Sequence, residues 1–215
     1  MALELDHVFC FVEPGGGWAE AATARGWVLD EGIEHEGQGT RNRRLCLPDQ
    51  FVEFLWLCSR ADAERNPLRL DRRADWRTTG ACPFGIGLRG QVTAKERAEF
   101  WTYEPPYAPG GRILIHRANE TAPDRPFVFV MEAPPEAIDR FRPRNRLAGK
   151  PELLAHARPA GVREVRLGLP AAAQAVLGRV VPPVTFRPAP TPSMAVVVGD
   201  GDEELALTDE LSLVG

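Results

Sequence analysis

Only four of the 215 residues are cysteines, and Cys10, Cys46, Cys58 and Cys82 stand far apart. That spacing excludes the close paired motifs of a zinc ribbon or a dithiol redox centre. Each lies in or beside an apolar run, as reduced core cysteines of a reducing compartment do. No apolar run approaches the roughly 18 uncharged residues that a membrane span needs. The chain opens directly on a strand pattern, without a basic segment, apolar core and cleavage site, so a cytoplasmic location and no membrane partner are expected. Positive charge is not in excess either. With 26 basic and 30 acidic residues the net charge is −4, so no general basic field points to nucleic acid. The run Arg41 to Arg44 is local, a solvated strand edge or an anion contact. Glycine-rich dinucleotide and phosphate loops and the Gly-x-Ser-x-Gly elbow are all missing, which removes support for nucleotide-dependent and serine-hydrolase chemistry.

What is present begins with two strands that each carry one polar residue inside an apolar run. Alternation across Leu3 to Val12 puts His7 on a face with Leu5, Phe9 and Phe11. Across Gln50 to Leu57 it puts Glu53 with Phe51, Leu55 and Leu57. Neither His7 nor Glu53 belongs on such a face without a partner.

Between these strands, Pro14 and three glycines break the extended pattern, and Trp18 to Arg25 predicts a helix that Gly26 stops. Trp27 to Leu29 predicts a second strand and Arg43 to Leu47 a third, with Pro48-Asp49 turning into the strand of Glu53. Residues 1–58 thus form one βαβββ module. Residues 59–82 turn polar, with Arg60, Asp62, Glu64, Arg65 and Arg69, and are expected as a solvated linker between modules that admits a short helical turn.

A second module spans 83–133. Its first strand puts Phe84, Ile86 and Leu88 on one face and Gly85, Gly87 and Arg89 on the other. Thr93 to Glu96 fits a capping box opening a helix through Phe100 and Trp101. Tyr103 to Gly111 reads as a loop, and Arg112 to His116 with Phe127 to Glu132 as a hairpin. Residues 134–161 carry no sustained period and are expected to wrap the surface. A third, C-terminal βαββ(β) module spans 162–215, with a strand at Val165 to Leu169, a helix over Ala171 to Leu177 ended by Gly178, and strands near Thr185-Phe186, Met194 to Val198 and Glu204 to Leu207. A tight turn is expected over Gly199 to Asp202. The fold class is α+β, made of repeated βαβββ-type modules.

The Leu-Asp-His of the first strand, the order helix, strand, strand, and then the Glu-bearing strand resemble the glyoxalase-like branch of the vicinal oxygen chelate superfamily. The segment Gly37-Gln38-Gly39-Thr40-Arg41-Asn42 is similar to that branch's Gly-x-Gly-Thr-x-Asn stretch. The resemblance is strongest over residues 3–58. It implies paired modules curving a mixed sheet around a cavity, with a divalent metal held by the first and last strands of each. Laid on this chain, that assigns His7, Glu53 and Glu132 as metal ligands, with Gly85 in the fourth place and unable to bind through a side chain. Such a set suits Fe(II), Mn(II) or Zn(II), and a missing ligand equally suits a site without metal. A bound cation would polarise neighbouring oxygens of a small oxygen-rich substrate, with Glu53 and Glu132 as catalytic carboxylates, in isomerase, lyase or dioxygenase chemistry. The rival is a metal-free protein that binds or sequesters a small molecule in the same cavity, with His7 and Glu53 hydrogen-bonding each other or backbone. Pairing of subunits across a two-fold axis is also implied, hence a homodimer.

Other candidates each have a plain structural alternative. Arg89 offers a fork for a substrate carboxylate, or is a surface arginine at a strand end. His116 offers a catalytic base, on the face opposite Ile113 and Ile115. Glu132 is a ligand or an exposed strand end. Tyr103 and Tyr107 are substrate-contacting residues of a lid, or packed coverings. Asn42 touches substrate, or bonds the backbone of its own turn.

Overall fold

Strand β1, Glu4–Phe11, stands near the middle of an eight-stranded sheet, and its neighbours decide what its side chains face. The structure is a computed structural model that describes residues 3–157, 160–170, 183–202 and 204–214. The first half of the sheet adds β2 (Glu34–His35), β3 (Thr40–Cys46) and β4 (Phe51–Leu57). The second adds β5 (Phe84–Gly90), β6 (Phe100–Tyr103), β7 (Ile113–His116) and β8 (Phe127–Glu132). Their order is β2-β3-β4-β1-β5-β8-β7-β6. In each half the last strand lies parallel to the first, β4 on β1 and β8 on β5, and the halves join through the antiparallel pair β1 and β5. The α+β architecture is therefore a curled half-barrel built from two matching halves.

Helix α1, Trp18–Ala24, lies between β1 and β2 in the chain, with Trp18 stacked on Phe54 at 4.6 Å. Gly26 follows with φ of 79°, and a Cβ there would come within 2.6 Å of the Ala157 methyl carbon, so both backbone and packing demand glycine. The second strand expected at Trp27 to Leu29 does not form. The Val28 amide bonds a side chain, His156 Nδ1 at 3.0 Å, in place of a strand neighbour, and β2 arises later as a two-residue pairing with β3.

Residues expected as a solvated linker fold into α2 (Arg60–Arg65), α3 (Asp71–Ala74) and α4 (Trp76–Thr79). Asp71 and Arg73 are buried. Arg73 donates to the carbonyls of Cys82 and Arg125 at 2.9 and 2.8 Å, and its guanidinium lies over the Phe127 ring. Burial pulls its pKa down to about 10. The Thr93 and Glu96 capping box forms, each side chain bonding the other's backbone amide. The turn it opens is short, Glu96–Glu99, and Phe100 and Trp101 belong to β6 because they pair with β7. After α5 (Ala118–Thr121) and β8, the stretch 134–157 crosses back as short turns and the helices α6 (Ile138–Phe141) and α7 (Pro143–Arg146).

A second sheet holds β9 (Val162–Leu169), β10 (Val184–Pro188), β11 (Ser193–Val198), β12 (Glu204–Ala206) and β13 (Leu211–Val214), in the order β10-β9-β11-β13-β12. The helix expected over Ala171 to Leu177, with Gly178, lies outside the described residues. Strand β13 was not expected, and it separates β11 from β12, so the turn after β11 does not close a hairpin. One buried cluster runs from Leu5, Val8, Phe54, Phe84, Ile86 and Leu88 into Val165, Leu167, Val196 and Leu213, which fastens this sheet to the outer face of the first. Each large apolar side chain buried there contributes about 1.5–3 kcal/mol. The opposite, concave face carries a separate aromatic cluster around Phe9, Phe127 and Phe129.

Candidate functional site

The concave face encloses a cavity of about 610 Å³, within the range of small-molecule sites. Its polar end is made by β1 and β4. Register places His7 opposite Phe51 and Phe9 opposite Glu53, so His7 and Glu53 sit on a diagonal of one face. His7 Nε2 and Glu53 Oε2 are 3.5 Å apart, and the imidazole stacks on Phe51 with centroids 4.1 Å apart.

One local irregularity aims the histidine. On β5, Leu5 pairs with Leu88 but His7 pairs with Gly87, so Asp6 is an extra residue in β1. This bulge breaks simple alternation. Leu5 packs into the outer cluster while His7 faces the cavity, contrary to the shared face expected from the sequence. Asp6, fully buried, accepts from His7 Nδ1 at 2.7 Å. Burial alone would depress the His7 pKa, but the bonds and charges of Asp6 and Glu53 outweigh it and raise the group to about 9. Burial would raise Glu53, yet His7, His35 and Asn42 hold it down at about 2. At neutral pH the pair is imidazolium and carboxylate.

Asn42 Nδ2 donates to the other Glu53 oxygen at 2.6 Å, while its Oδ1 accepts from the Ile33 amide at 2.8 Å. Next to it stand two residues that sequence reasoning passed over, His35 and Gln38. His35 is buried and its pKa is lowered, chiefly by burial. Its Nδ1 lies 2.9 Å from Thr40 Oγ1, to which Gln38 Nε2 also donates. The turn containing Gly37 and Gly39, both with positive φ, folds His35 back onto Thr40, and the Gly-x-Gly-Thr stretch was the available signal.

The remaining predicted residues divide. Tyr103 is buried in β6 rather than in a lid loop, its hydroxyl accepting from Asn66 Nδ2 at 2.9 Å. Tyr107 lines the cavity with its ring 4.6 Å from His35, and burial pushes its phenol pKa up. Glu132 lines the cavity at an exposed strand end and does not join His7 and Glu53 in a group that could hold a metal ion. Arg89 is not available to a substrate. It is fully buried, its Nε donating to Glu4 at 2.6 Å and its Nη1 to Asp6 at 2.9 Å. His116 does not line the cavity: it packs edge-on against Phe100, accepts from the Ala118 amide and faces Glu99. Alternation along β7 gives the cavity to Ile113 and Ile115 instead.

These side chains do not fit the metal site that the resemblance implied. Across from His7, the second half presents Gly87, with Phe129 edge-on at 5.1 Å, and Gly85 lies against the Phe9 ring. Among the described residues no group of three or more His, Cys, Asp or Glu could hold a metal ion. His7 and Glu53 alone fall short of the three protein ligands of a catalytic zinc centre.

The model of a family described as a glyoxalase-like domain matches residues 5–143. A hypothetical protein from Staphylococcus aureus aligns over 99% of this chain and 99% of its own, with a TM-score of 0.63 and 11% identity. At that identity the likeness concerns the fold. Methylmalonyl-CoA epimerase from Mycobacterium tuberculosis aligns over 62% of this chain and 89% of its own, with a TM-score of 0.40 and 14% identity. A hypothetical protein from Bacillus halodurans C-125 gives 62%, 96%, 0.40 and 15%. No curated protein matches the chain.

Proposed function

This chain belongs to the glyoxalase-like domain family, and we propose that its cavity binds a small ring-bearing molecule without a divalent metal. Phe9, Phe127 and Phe129 hold the apolar body, and His7, Glu53 and Asn42 bond an oxygen-bearing end. The observation that carries this reading is the part of the lining that the second half contributes beside His7, where Ile113, Ile115, Phe127 and Phe129 offer apolar and aromatic surface and no metal ligand. Hydrocarbon burial supplies most of the affinity, and the polar end sets orientation.

Titration calorimetry with 2-naphthol tests the proposal. One molecule per chain is expected, with the same affinity in EDTA as in added Mn(II), Fe(II) or Zn(II), and loss of binding in Gly87→Leu. Binding that appears only with metal, or that survives Gly87→Leu, overturns it.

One feature supports a second reading, a metal-independent isomerase or lyase. With Nδ1 engaged by Asp6, the His7 Nε2 is left toward Glu53 and the cavity, which is how an oriented histidine gives or takes a proton. His7→Gln that retains binding but abolishes turnover of a carbonyl substrate is its expected signature.

A further inference from the structure

We infer that Arg89, with Asp6, is a positioning residue for the polar end of the cavity. The inference rests on the binding reading above and assigns the outward-lying support of that end. A continuous line of contacts, alternating in charge from Arg142 to Glu53 and closed by the neutral Asn42, supports this end. Arg142 bonds Glu4 at 3.0 Å, Arg89 bridges Glu4 and Asp6, Asp6 holds His7, His7 faces Glu53, and Asn42 bonds Glu53.

Arg89 is a costly residue to place where it is. It is wholly excluded from solvent, and its Nη2 has no hydrogen-bond partner. Hydrocarbon in place of both Arg89 and Asp6 would fill the space without that penalty, whereas hydrocarbon in place of Arg89 alone would leave Asp6 buried and unpaired. What the guanidinium supplies is a two-pronged grip: Nε on Glu4 and Nη1 on Asp6, residues on either side of Leu5 at the bulge. That grip holds the extra residue of β1 with its carboxylate turned toward His7, and the Asp6 bond then sets the plane of the imidazole against Phe51. Lysine carries the same charge on a single point and cannot reproduce the two-pronged geometry.

The test compares 2-naphthol with 2-methylnaphthalene, which differ by a hydroxyl against a methyl. Wild type is expected to prefer the naphthol by about fivefold, the scale of one hydrogen bond. Arg89→Lys and, independently, Asp6→Asn are expected to bring the ratio close to one while 2-methylnaphthalene binds as before, and a slowly exchanging His7 Nδ1 proton seen by NMR in wild type is expected to vanish. If both variants weaken the two ligands equally, or leave the ratio intact, Arg89 only ties strands together and the inference is overturned. If wild type shows no preference for the naphthol, the binding proposal itself fails at its polar end. Should Arg89→Lys not fold, the ratio in Asp6→Asn decides alone.

Discussion

His156 Nε2 donates to the carbonyl of Cys46 at 2.6 Å while its Nδ1 accepts from the Val28 amide at 3.0 Å. Both partners are backbone groups with fixed roles, so the ring is neutral and its tautomer is determined. It pins the stretch after β8 to the first half of the sheet, and burial, only partly offset by the Cys46 bond, lowers its pKa. The unfolded chain takes up this proton near pH 6.5 and the folded chain resists it, so this residue's contribution to stability falls as pH drops below about 6.5. The stability gap between wild type and His156→Ala, from urea unfolding, should be about 1–3 kcal/mol at pH 8 and shrink in acid.

The pair His7 and Glu53 has the opposite dependence at its basic edge. A raised histidine contributes fully below pH 6.5 and loses its contribution as pH climbs to about 9. A depressed glutamate contributes fully above pH 4.5 and loses its contribution as pH falls to about 2. The pair therefore stabilises most between about pH 4.5 and 6.5. NMR titration should find His7 still protonated at pH 7.5, and titration near 6.5 would show that the carboxylates do not govern it.

Gly85→Ala should destabilise by about 1–3 kcal/mol, because an added Cβ would lie 2.0 Å from the Phe9 ring. Phe9 lines the cavity, so a ring displaced by the added Cβ should weaken 2-naphthol binding along with the urea midpoint. An unchanged midpoint would mean that the Phe9 ring has other room.

Asn42→Ala strips a donor from Glu53 and an acceptor from the Ile33 amide at once. A loss of about 1–3 kcal/mol is expected by urea unfolding, together with a higher Glu53 pKa by NMR. If the Glu53 pKa does not move, Asn42 serves its turn alone.

The frame and the polar pair were legible because period-two patterning survives wherever a strand has one face on the concave cluster and one on the outer core. Phe84, Ile86 and Leu88 separate from Gly85 and Gly87 as their alternation predicts. His7 and Glu53 stood out as polar residues in apolar runs. Position 6 defeated the same rule, because a one-residue bulge leaves no mark in a hydrophobic pattern. Arg89 was misassigned because its role depends on carboxylates 85 and 83 positions away that no local pattern reveals. His35 was invisible because its strand is two residues long and shows no period. Val28 failed to become a strand because its partner is a side chain from residue 156.

The glycines of β5 give the duplicated sheet a division of labour. Where one half carries an imidazole and a carboxylate, its counterpart carries glycines packed under the His7 and Phe9 rings, and phenyl rings of its own. Substitutions in residues 84–132 should therefore change which molecules are admitted, and those in residues 4–57 should change how an admitted molecule is gripped, so that the two properties can be retuned separately.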